Sequence, residues 1–133
     1  MFIPRAQRSL KRLASFQQPE ASLVAEKIRV ADVLEDGLIG IYENNPSVME
    51  ENVIFTNNSV YYFNSGEWRK VLYEEISYLN PEPDKDTAKV IKIVTNSGSI
   101  EAFSIIGETG RFRDYYTVYQ FMNRIVNDLC DSE

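Results

Sequence analysis

The sequence predicts a mainly β domain flanked by helices: about seven short antiparallel strands, an N-terminal helix and a long C-terminal helix. Three observations predict it. Residues 52–76 read NVIFT-NN-SVYYF-NSG-EWRKVLYEEI, three runs rich in β-branched and aromatic residues cut by two compact turn signals. A second hairpin pattern, AKVIKIVT-NSG-SIEAFSII, spans 88–106. Arg111–Leu129 then carries apolar residues at helical spacing. A short meander buries little by itself. The strands should therefore form two packed sheets or a partly open barrel, with one end plugged by the last helix.

Taken in order, residues 1–18 form a basic arm. Leu10, Leu13 and Ala14 share a helical face, and Arg5, Arg8 and Arg12 are spaced i, i+3, i+7. Residues 19–133 form a single domain. Pro19 suits a first helical turn, and Leu23, Val24, Ile28, Ala31 and Leu34 follow at helical spacing, so a helix is expected over roughly 20–35. Gly37 is placed to close it in the left-handed conformation. The barrel segment is 37–106. Its strands are expected at 37–43, 52–56, 59–64, 67–73 and 75–80, then at 88–95 and 99–106 after a loop rich in Pro and Asp. Asn57-Asn58 is a two-residue hairpin connection, Asn being tolerant of the left-handed backbone such turns use. Asn64-Ser65-Gly66 is the next, with positive φ expected at Gly66.

The final helix, 111–129, has an unusually wide apolar arc. Phe112, Tyr115, Tyr116, Tyr119, Met122, Val126 and Leu129 lie on one face. Val118, Phe121 and Ile125 widen the arc to roughly 220°, against about 100° for a helix docked on a surface. Either the helix sinks deep into the barrel mouth, or these three residues meet another subunit or protein.

Composition limits the function classes. A chain of 133 residues with 44% hydrophobic content can build one real core. The net charge of −6 is uneven: residues 1–19 hold Arg5, Arg8, Lys11 and Arg12 and no acid, while the rest holds ten basic and twenty acidic residues. An acidic body repels phosphate, so nucleic acid is not an expected partner. The single cysteine, Cys130, excludes an internal disulfide and fits a cytoplasmic location; it is expected to pack in the core or at the chain end. The N-terminus lacks the apolar core of a secretory signal, and no run approaches the ~20 apolar residues of a membrane span.

The pattern Val53–Thr56 (VIFT), Ser59–Phe63 (SVYYF) and Tyr73–Ile76 (YEEI) resembles GRAM and bacterial PH-like domains, and the Thr95–Gly98 turn and closing aromatic helix fit the same pattern. The resemblance covers about residues 37–129. It implies a PH-like barrel, a non-catalytic scaffold that binds lipid head groups, peptides or proteins. Phosphoinositide-binding members usually place basic residues in the loop after the first strand. Here that loop, Glu43–Glu51, holds three glutamates and no Lys or Arg, so a phosphate-rich head group would be repelled.

No catalytic constellation is present. The chain has no histidine, which removes His bases, Ser-His and Cys-His pairs and His-containing zinc sites. Glu50-Glu51 and Glu74-Glu75 are adjacent carboxylates, but neighbours on a strand face opposite ways, so neither pair forms a dyad. No metal or cofactor is expected, and the chain is not expected to be an enzyme. A protein partner is expected, with self-association as a second option. Its candidate contacts are Tyr61 or Tyr62, one of which should face solvent, Trp68 on the next strand, and Val118, Phe121 and Ile125 on the last helix. The alternative is a peripheral membrane module acting through Arg5, Arg8, Lys11 and Arg12.

Overall fold

In the computed structural model of the chain, residues 10, 16–28, 32–45, 47–80, 90–105 and 111–131 are described. The strands segregate into two antiparallel sheets. The first contains β1 (Phe16–Gln17), β2 (Leu38–Tyr42), β3 (Val53–Thr56), β4 (Ser59–Asn64) and β5 (Glu67–Leu72), in that spatial order. The second is a meander of β6 (Ile76–Asn80), β7 (Val90–Thr95) and β8 (Ile100–Ser104). Three helices complete the fold: α1 (Ala21–Ile28), α2 (Asp32–Asp36) and α3 (Arg111–Asp131).

Turn chemistry explains the local path. Gly37 follows α2 at φ +83°, and its N–H bonds the Val33 carbonyl, closing the helix. The β4–β5 hairpin uses Ser65 at φ 54° and Gly66 at φ 84°, a two-residue turn with both positions left-handed. The β3–β4 connection differs from expectation, because neither Asn57 nor Asn58 has positive φ. Side chains close this turn instead: the Thr56 hydroxyl accepts from Ser59 N–H at 3.0 Å and meets Ser59 Oγ at 2.6 Å. A short 3₁₀ turn, Tyr73–Glu75, separates the sheets, a wider break than the single residue expected between strands 67–73 and 75–80. The Leu72 N–H donates to Glu75 Oε1 at 3.0 Å, and the Tyr73 hydroxyl to the Thr56 carbonyl at 2.9 Å, so side chains pin the bend.

The first sheet is buried on both faces. On β3 every residue is buried. Val53 and Phe55 face the main core, shared with the second sheet and α3. Ile54 faces the other way, with Ile41 and Tyr61, into a second core roofed by Val24, Ala25 and Ile28 of α1 and Val33 of α2. The second sheet is one-sided. Leu79, Ile91, Ile93 and Phe103 point inward, while Tyr78, Lys92 and Ile100 are exposed, the alternation of a half-covered sheet.

β8 runs across the first sheet rather than alongside it. Ser104 O accepts from Asn44, just past β2, at 2.7 Å. Phe103 packs on Tyr62 of β4 with centroids 5.7 Å apart. Glu101 reaches Arg69 of β5 at 2.9 Å. α3 fills the remaining side, with Phe121 edge-on to Phe55 at 5.6 Å and to Tyr73 at 6.5 Å.

Two expectations on the N-terminal half change. The helix expected over 20–35 is two helices, and residues 29–31 between them lie outside the described set. The arm is partly built into the domain: Leu10 is fully buried in the main core, and Phe16–Gln17 pairs with the edge of β2. Phe16 crosses directly over Gly40, where a Cβ would sit 2.4 Å from the ring, so glycine is what permits the crossing. Arg5, Arg8, Lys11 and Arg12, the loop at 81–86, and the side chain of Cys130 lie outside the described residues. Among those described, no helix is long and apolar enough to cross a membrane.

Candidate interaction surface

The tyrosine pair on β4 splits to opposite faces, yet neither ring reaches solvent. Tyr61 is 1% exposed and Tyr62 3%. Tyr61 points to the outer face, but α1 and α2 cover it; Tyr62 points inward, under β8. Val118, Phe121 and Ile125 are likewise buried within the chain itself. α3 is rotated so that Val118 lies mid-face, and Tyr116 turns outward at 47% exposure. These five residues are core: that removes the solvent-facing tyrosine expected on β4 and, of the two alternatives for the last helix, matches the one in which it is sunk into the domain. Trp68 alone among the expected contacts keeps some exposure; it is half-buried and meets Phe63 edge-on at 5.5 Å.

Two polar networks tie the layers together. At the end of α2, Asp36 accepts from the Tyr61 hydroxyl and from Lys70, each at 2.7 Å, and from Asn58 at 3.1 Å. Burial pushes the Asp36 carboxyl up, but its bonds from Lys70, Tyr61 and Asn58 outweigh that and hold it below 3.8. The Tyr61 phenol is pushed up to about 12 by burial and by its carboxylate partner. The second network joins the sheets. Glu101 of β8 accepts from the Tyr62 hydroxyl and from Arg69, and Arg69 also approaches Glu67 at 3.7 Å. Burial raises the Glu101 carboxyl, but the Arg69 and Tyr62 bonds prevail and keep it below 4.5. Burial and Glu101 push the Tyr62 phenol up to about 12. A third contact, Tyr42 hydroxyl to Asp114 at 2.5 Å, fastens β2 to the first turn of α3.

The crossing of β8 leaves a notch of about 280 Å³ between it, the end of β4 and the turn before β3. Tyr62 and Phe103 give it an aromatic side, Phe63 borders it at the end of β4, and Glu50 and Glu51 supply carboxylates. Among the described residues, no Lys or Arg lines it. The two glutamates stand on the 3₁₀ turn Met49–Glu51, a conformation that turns both toward solvent, where strand geometry would have separated them. The turn is held by side-chain amides. Asn44 Nδ2 donates to Glu51 O and to Ser104 O, both at 2.7 Å, and Asn45 Nδ2 donates to Glu51 Oε2 at 2.8 Å.

Two other surfaces stand out. A groove of about 320 Å³ lies beside α1, with Leu23, Ile41 and Met49 along it and Lys27 and Glu43 of opposite charge among its lining. On the outer face of the second sheet, Tyr78, Val94 and Ile100 form one cross-strand row, with Ile100 70% exposed. Sequence reasoning passed over Phe63 and Phe103, and it weighed Glu50 and Glu51 only as an acid/base dyad and as a loop that repels phosphate. Composition did signal the acidic loop, but the approach of β8 to it is a long-range contact with no local signature. No family model, no curated protein and no solved structure matches this chain.

Proposed function

We propose that this chain is a non-catalytic, PH-like interaction module that docks a protein partner through an aromatic and acidic surface. The strand order supports the PH-like reading: apart from the two-residue β1, a four-stranded meander precedes a three-stranded one, and a C-terminal helix is packed into their shared core. The observation that carries the docking role is the notch, where Glu50 and Glu51 share a lining with Tyr62 and Phe103 and, among the described residues, no cation lines the site. Among the described residues, Arg69 is committed to Glu101, and Lys92 of β7 stands beside Ala102 without lining the notch. A partner presenting basic side chains complements this surface and is steered to it by the acidic body.

The test is retention of the intact chain on immobilised peptides of equal length and matched hydrophobicity. Basic peptides should bind, with affinity falling as salt is added, and Glu50→Lys with Glu51→Lys should abolish retention. Equal retention on neutral or acidic peptides would refute the reading.

A further inference from the structure

We infer that the notch between β8 and the Met49–Glu51 turn receives a single arginine side chain of the partner; this rests on the docking role proposed above. Size is the first argument. At about 280 Å³ the notch falls below the ~300–1,000 Å³ of ordinary small-molecule sites. It suits one inserted side chain better than a metabolite. A bare metal ion is poorly served, because no group of three His, Cys, Asp or Glu side chains gathers among the described residues.

Charge is the second. Glu50 makes no hydrogen bond or ion pair among the described residues, and Glu51 gives one oxygen to Asn45. The lining adds the amide of Asn64 and the hydroxyl of Ser104, so acceptors stand on three separate elements. A guanidinium carries five N–H donors in a planar fork and can address them together; an ammonium has three donors about one point. The third argument is the wall. A guanidinium stacks on aromatic faces and is more weakly hydrated than an ammonium, so entering a half-apolar notch costs it less. Tyr62 and Phe103, tilted together at 5.7 Å, form the apolar side of the notch, and Phe63 borders it at the end of β4 with its ring on the Trp68 side of the strand.

The experiment is an amide-resolved NMR titration of the full chain with three blocked tripeptides, glycine flanking arginine, lysine or citrulline. The arginine peptide should shift the amides of Glu51, Phe63 and Ala102, and bind at least about fivefold tighter than the lysine peptide. Citrulline, isosteric but uncharged, should leave them unmoved. The Glu50→Gln, Glu51→Gln variant should weaken arginine binding about tenfold while its spectrum stays folded, since both side chains are exposed. Lysine binding as well as arginine would overturn this inference and leave the docking role standing. Citrulline binding as well as arginine would overturn its charge basis. Silence from all three peptides, with basic peptides still retained on the surface assay, would overturn the arginine notch alone; silence in both assays would overturn both readings.

Discussion

Replacing Asp36 by alanine should cost about 1–3 kcal/mol. The carboxylate is 10% exposed and joins α2 to three residues of the first sheet and its turn. Its removal leaves the buried Tyr61 hydroxyl without its acceptor, a loss of about 1–2 kcal/mol. The Lys70 pair adds under about 1 kcal/mol because lysine is partly solvated. Asn58 is exposed, and the Ser59 contact is long at 3.3 Å, so neither adds much. With about 2 cal/mol/K of unfolding entropy per residue, a chain of 133 residues loses about 4–11 °C in Tm. Thermal and urea denaturation, followed by circular dichroism, would read it. Glu35→Ala, one residue away and exposed, is the control and should change stability by less than about 0.5 kcal/mol. The sign with pH follows from the lowered Asp36 pKa. Its contribution is complete above the ordinary value of 3.8 and is lost as pH falls through the lower folded value. Asp36→Asn should therefore flatten the acid limb of the stability curve. Equal stability of Asp36→Ala and Glu35→Ala would refute the account of α2 as anchored by this carboxylate.

The other expected outcomes concern packing, titration and the notch. Gly40→Ala must push Phe16 aside and also meet Gln17 O at 2.6 Å, so urea midpoints should reveal a loss of about 2–3 kcal/mol. Phe121→Ala should cost about 3–5 kcal/mol, because its ring fills the space between Phe55 and Tyr73; a surface-like loss below about 1 kcal/mol would contradict its burial. In alkaline titration followed by phenolate absorbance, Tyr61 and Tyr62 should ionise near 12, behind the ordinary value of 10. Raised values mean stability that is full below pH 10 and lost as pH rises through about 12, and Tyr62→Phe should remove one late step. A single step near 10 for all eight tyrosines would count against both networks. Asn44→Ala removes the bridge between Glu51 O and Ser104 O. It should speed hydrogen exchange on both sides of the notch while lowering Tm by less than about 4 °C; a collapse of the whole fold would show that the bridge is not local.

The strands were legible in the sequence to within two residues at most ends, because Ser65-Gly66 and Asn96–Gly98 are turn signals that need no tertiary help. What alternation could not reveal was the identity of the cover. Tyr61 and Tyr62 had to part, but a period of two says only that the faces differ. The roof over Tyr61 comes from Val24, Ala25, Ile28 and Val33, some 30 residues away in the chain. A clue was present in β3, whose VIFT run has no polar alternation and so reads as buried on both sides. The rotation of α3 escaped for a similar reason. A wide apolar arc leaves its centre undetermined until the Tyr42–Asp114 bond and the Phe55 contact pin Asp114 and Phe121 inward. The two-residue β1 carries no periodicity at all, so Phe16 read as part of a basic arm.

This distribution of cover narrows where recognition can occur. Both faces of the first sheet are spent, one on α1 and α2 and the other on β8 and α3. Part of its β2 edge is occupied by β1, and Gln18 Nε2 meets the Ile39 carbonyl there at 3.2 Å. Its β5 edge carries Glu67, Arg69 and Lys70, charges that discourage strand addition. What remains among the described residues is the groove beside α1, the outer face of the second sheet and the seam where β8 crosses the strand ends. Of these three, only the seam combines concavity with charge of one sign, since the groove holds Lys27 and Glu43 together. The turn that carries its carboxylates is also held before any partner arrives, since Asn44, Asn45 and Asn52 fix it and Asn45 bonds the Glu51 carboxylate itself. Preorganisation of that kind lowers the ordering cost of binding, and a notch this small needs that saving to discriminate one side chain from another.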